Sequence, residues 1–294
     1  MDLLLPQLFA GLSLGSVLLL AALGLALTFG QMGVINMAHG EFMMAGAYTA
    51  FVTQALVGNA GVSLLVALPA GFLVGGVLGL ILEATLIRRM YHRPLDTLLV
   101  TWGVALLLQQ VARDVFGAPN VDVSVPTWLT GAVSIGGLAL PKTRLFILAI
   151  AIVCVLALAV VLRSTSLGRR IRAVVQNRDL AEASGISSRA TDRTTFFIGS
   201  GLAGIAGVAV TLLGSTGPNL GMSYIVDAFL VVVVGGIGHI KGTVIAAAAL
   251  GLMQAFFEFS TTASIAKVLV FVVIIAFLQV RPQGLLVTRT RSLA

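Results

Sequence analysis

Charge is what this 294-residue chain has least of: Asp, Glu, Lys and Arg make up only 10% of it, against 58% hydrophobic residues. Soluble domains carry about 25% charged residues. A larger core does not account for the gap, and mean hydropathy is +1.07. Cysteine is nearly absent as well. The single Cys154, in mid-run, builds neither a disulfide framework nor a cysteine metal site and reads as a packing residue. No Lys or Arg precedes Arg88, so the N-terminal stretch lacks the basic start of a secretory signal peptide. The histidines at 39, 92 and 239 have no partner at i+4, which argues against metal, and no nucleophile–base arrangement supports catalysis. "GGIGHIKGT" fails as a phosphate loop because Ile240 stands where the glycine before the Lys belongs, and as a dinucleotide fingerprint because its last glycine is missing.

What is present is a series of apolar runs, each long enough for a hydrocarbon core about 30 Å thick. They predict an all-α polytopic transmembrane bundle, since barrel strands would alternate rather than run continuously. The predicted spans are 6–29, 36–57, 62–87, 95–116, 145–162, 194–213, 224–234, 243–259 and 265–280. The two before the last flank a glycine-rich break and read equally as a re-entrant pair, so eight or nine crossings are expected, in one transmembrane domain over 1–294. With the N-terminus outside, 14 of the 18 Lys and Arg fall on inner segments and only Arg113, Lys142, Arg144 and Lys267 outside. The positive-inside rule then gives an outer N-terminus and a cytoplasmic C-terminus. It also explains the net charge of +7 without nucleic acid. Small residues four apart (Gly71, Gly75, Gly79; Gly199, Ala203, Gly207) predict close helix packing.

Against this background the polar residues inside spans stand out, because a charged group costs at least about 2.5 kcal/mol at mid-bilayer. "GVINMAHGEFMMAGAY" holds Asn36, His39 and Glu41. On a regular helix Glu41 lies about 140° from Asn36 and about 160° from His39. Either the segment is unwound and the groups converge, or only some face inward. Asp227 opens a second glycine-interrupted run ending at Gly235, and paired interrupted segments point to an inverted repeat. Thr101, Trp102 and Gln109 in "LVTWGVALLLQQ" form a neutral set that suits a path lining and an interhelical seam equally. Arg163 to Arg193 is the longest inner segment. Within it Asn177, Leu180, Glu182 and Ala183 belong to a short amphipathic helix ended by Gly185, suited to a groove on a soluble partner or to plain solvation.

Six blocks in order, "GVINMAHGEFMMAGAY", "RPLDTLLVTWGVALLLQQ", "FGAPN", "VVQNRDLAEASGI", "GSGLAGIAGVA" and "VVVVGGIGHIKGT", cover nearly the whole chain. They resemble the permeases of the branched-chain amino acid family of ABC importers, and "TWGVALLLQQ" is similar to the urea-type branch. The resemblance implies a bacterial inner-membrane importer subunit that moves urea, with branched-chain amino acids as the alternative; outside the family, an ATP-independent channel for a small neutral solute ranks below both. It implies a second permease subunit, two cytoplasmic ATPases that bind ATP and Mg, a periplasmic binding protein, no cofactor in this chain, and a coupling role for 177–186. His239 and Lys241 depart from the family pattern, which often has Asn at the first and an apolar or aromatic residue at the second.

Overall fold

The computed structural model describes residues 4–91, 93–135 and 138–286. Its helices are α1 (Leu4–Met32), α2 (His39–Val57), α3 (Ala60–Thr85), α4 (Pro94–Phe116), α5 (Lys142–Ser164), α6 (Ser166–Gln176), α7 (Arg178–Ala183), α8 (Ser188–Val210), α9 (Leu220–Gly235), α10 (Ile240–Ser260) and α11 (Ala263–Val280). Seven of the described helices are long and apolar enough to cross a membrane; α2 and the shorter apolar α9 complete the bundle. The all-α expectation holds apart from one antiparallel hairpin, β1 (Ala132–Ile135) with β2 (Leu138–Pro141), which pairs Ala132 with Pro141 in the 117–142 connection. A bridge between Val121 and Thr216 ties that connection to the loop before α9.

Two faces of the bundle follow from the contacts. On the hairpin face lie the end of α2, where Gln54 binds Ser124, and the end of α4, where Arg113 donates to Asn219. On the other lie α6, α7 and the Met32 end of α1. Five of the described helices begin on a capping side chain: Asn59 for α3, Thr165 for α6, Asn177 for α7, Ser187 for α8 and Thr262 for α11.

The bundle centre is α1, α2, α3 and α8, held by backbone approach. Gly71, Gly75 and Gly79 of α3 lie against Gly204 and Ser200 of α8, where an added Cβ on Gly75 would stand 2.5 Å from the Ser200 carbonyl oxygen. Lipid tails are as apolar as leucine, so packing contacts rather than water expulsion drive such association. The glycine stripes are thus used within one chain. Observed bounds differ most from expectation at α8, which starts at Ser188 rather than Thr194 because Ser187 caps it there. The segment 163–193 is not one loop: it holds α6, α7 and the first turn of α8.

Candidate functional site

α2 begins inside the bundle. After α1 ends, Gly33 turns the chain at φ 64° and residues 33–36 carry no regular structure. His39 Nε2 then donates to the Ala21 carbonyl of α1 at 3.1 Å. At 1.5 Å per residue, Ala21 lies about 16 Å from the Met32 end of its helix. The chain has therefore climbed back to mid-depth before α2 starts. Backbone groups freed at such depth must be satisfied internally. Two predicted site residues do this. Thr101 Oγ1 of α4 accepts from the Met37 amide at 3.0 Å, and Asn36 Oδ1 accepts from the Ala38 amide at 3.0 Å. The segment is unwound only over 33–38: His39, Gly40, Glu41 and Gly46 lie in regular α2, and the polar groups do not converge. His39 faces α1, while Glu41 faces α4 and accepts from Gln109 Nε2 at 2.8 Å. Asn36, His39 and Glu41 are all buried, at 2%, 1% and 1% exposure. Glu41 Oε2 and Asn36 Nδ2 find no hydrogen-bond partner among the described residues.

The α4 set divides. Thr97, Thr101, Ala105, Gln109 and Ala112 form its buried stripe, a seam against α2 and the unwound segment. Trp102 is not part of it: the indole is 44% exposed on the outer surface of the helix. A seven-residue spacing alone does not place it, because a bulky ring one residue off the i+4 stripe turns outward. Asp227 is not free either. Its carboxylate accepts from Lys267 Nζ of α11 at 2.9 Å. Lys267 stands one turn into α11, near the start of the span 265–280 expected for it. His92 lies outside the described residues. Among the described residues no group of three or more His, Cys, Asp or Glu is placed to hold a metal ion.

The family described as "Branched-chain amino acid transport system / permease component" matches residues 7–278. The chain belongs to that family. This permease is 31% identical to the high-affinity branched-chain amino acid transport system permease protein LivH of Escherichia coli K12, over 96% of its own length and 95% of the relative's. It is 29% identical to the corresponding protein BraD of Pseudomonas aeruginosa over the same shares. A more distant relative is the autoinducer 2 import system permease protein LsrD of Salmonella paratyphi B, 30% identical over 69% of this chain and 62% of the relative. With its apolar helices, this makes the permease a multi-pass membrane protein.

On the α6–α7 face the permease carries a short, closed helix. Asn177 caps α7, its Oδ1 accepting from the Leu180 amide at 2.9 Å. At the other end Gly185, at φ 82°, lets its own amide reach the Glu182 carbonyl at 2.9 Å and the Ile186 amide reach Ala181 at 3.0 Å. This is the double bond of a Schellman closure. Leu180, Ala183 and Ser184 point outward as expected, with Leu180 65% exposed, while Ala181 fills the inner side.

Sequence reasoning missed how this helix is anchored. Arg178, its first residue, pairs with Asp192 Oδ2 of α8, and Asp192 Oδ1 accepts from Gln31 Nε2 of α1 at 2.9 Å. The Arg178 guanidinium also lies 5.1 Å from the centre of the Tyr91 ring. Tyr91 in turn donates to Glu83 of α3 at 2.7 Å, and Glu83 pairs with Arg193 of α8 at 3.5 Å. A local signal for both acids exists: Glu83 interrupts the apolar "LGLILEATLI" run, and Asp192 stands just ahead of another. Both carboxylates are fully buried. The rule that singled out Glu41 applies equally to Glu83. Burial, then the bond to Glu83, raises the Tyr91 phenol above its ordinary pKa, so it stays a donor at any ordinary pH.

Proposed function

We propose that this permease is one membrane subunit of an ATP-driven importer, that its α6–α7 face is cytoplasmic, and that α7 seats in a partner ATPase. The observation that carries the coupling role is α7 itself. It is closed at both ends, displays Leu180, and is tied through Arg178 to α8 and α1. A loop that is merely solvated needs no such anchoring. ATP and Mg belong to the two ATPases, and a second permease subunit and a periplasmic binding protein complete the assembly. The N-terminus is then periplasmic and the membrane is the bacterial inner one. Gly185→Pro is expected to abolish ATP-driven uptake while leaving the protein inserted. Proline is fixed near φ −65° and has no amide hydrogen, so neither the turn nor the bond to Glu182 survives. Uptake at the wild-type rate would remove α7 from the coupling role.

For the cargo, the relatives named for branched-chain amino acid transport favour such an amino acid. One observation favours urea as a second reading. Lys267 of α11 is already paired with Asp227, whereas Glu41 and Asn36 offer neutral-amide chemistry, acceptors for N–H and a donor for C=O. ATP-dependent uptake of labelled leucine against labelled urea by the reconstituted complex decides between them. On either reading Asn36, His39, Glu41, Thr101 and Gln109 bound the translocation path. Glu41→Gln keeps the volume and the acceptor for Gln109 but removes the charge. It is expected to slow uptake about tenfold, the scale of one charged hydrogen bond, with membrane abundance unchanged on immunoblot. Unchanged uptake would leave Glu41 a packing group.

A further inference from the structure

A cavity of about 590 Å³ opens on the α6–α7 face between the end of α1, α6 and the turn joining α9 to α10. Of the coupling network only Gln31 reaches it. Arg172 and Lys241 stand at its wall with His239, and the described residues lining it include no acid. Beside these cations sit exposed apolar side chains, Val175 at 41% and Ile237 at 44%. Gln31 is buried at its base. Its Nε2 is used by Asp192, but its Oε1 has no partner among the described residues. α6 carries Arg169, Arg170 and Arg172 on its outer side and Ile171 and Val174 inward, the pattern of a helix lying in a membrane interface.

We propose that this cavity binds an anionic phospholipid, with the phosphodiester between Arg172 and Lys241 and the first acyl segments against Val175 and Ile237. Basic pockets between helices at a membrane surface recognise lipid headgroups in this way. The free Gln31 oxygen accepts from a headgroup hydroxyl, which selects phosphatidylglycerol over a choline lipid. The juxtaposition of paired cations, an exposed apolar rim and a buried orphan acceptor is what a solvated cytoplasmic groove would lack.

The test is a titration of the full chain in detergent with phosphatidylglycerol and with phosphatidylcholine, read by native mass spectrometry. It stands independently of cargo and of orientation. Wild type is expected to prefer phosphatidylglycerol. The double variant R172Q/K241Q should bind it about thirtyfold more weakly, and K241Q alone about fivefold, from the usual gain per basic residue at a membrane surface. The single variant covers the case in which losing Arg172, whose guanidinium also holds the Leu162 carbonyl, disturbs α6. Lys142→Gln, on the opposite face, should change nothing. Equal affinity for the choline lipid, equal loss in the Lys142 variant, or displacement of the lipid by leucine or urea would overturn the assignment.

Discussion

Asp192→Ala is expected to cut ATP-driven uptake about thirtyfold while the chain still inserts. Asp192 is fully buried and holds Arg178 from one oxygen and Gln31 from the other. Its loss leaves the Arg178 cation with only the exposed Glu182 carboxylate at 3.8 Å and the Ser188 hydroxyl, and no buried counter-charge. Removing one member of a buried pair costs about 3–5 kcal/mol. Arg178 is 33% exposed, so solvent recovers part of this, and about 2 kcal/mol remains. That shifts the docked population of α7 by about thirtyfold. Uptake per ATP hydrolysed separates coupling from folding. The double variant Arg178→Met/Asp192→Leu removes both charges and should restore thermal stability in detergent without restoring uptake. If uptake returns with stability, the pair serves packing and not transmission.

Gly207→Leu is expected to give the largest loss of folded protein of any single change in the bundle centre. A Cβ at Gly207 of α8 would stand 1.8 Å from the Met43 carbonyl oxygen of α2. The obstacle is backbone within a helix and cannot rotate aside, so the helices must separate. Overpacking costs about 1–3 kcal/mol where side chains can give way, and an unyielding backbone puts this case at the upper end, about 3 kcal/mol. The readout is the amount recovered from membranes and its melting temperature. Gly103→Leu in α4 is the control, since a Cβ there meets nothing within 4 Å and leucine is a better helix former than glycine. Equal recovery of the two variants would show that the α2–α8 approach is not needed.

The parts of this fold legible in sequence are those written locally. Apolar runs mark the helices, and the spacing of Gly71, Gly75 and Gly79 marks a close approach. Asn177 and Gly185 mark both ends of α7, because caps act within four residues. What is not legible lies in pairs far apart along the chain. Gln31 meets Asp192 across 161 positions, and Gln109 meets Glu41 across 68. No periodicity encodes such a meeting. Lys267 falls within its span on the sequence alone, but its pairing with Asp227, 40 positions away, does not show there. Thr101 and Asn36 read as lining residues, and nothing local reveals that they satisfy freed backbone amides.

The non-helical stretch before α2 has a mechanical consequence. A continuous helix transmits a push along its axis rigidly, but a few residues without regular structure do not. A displacement of α1 therefore reaches α2 sideways, through the bond of His39 to the Ala21 carbonyl, and not end to end along a shared axis.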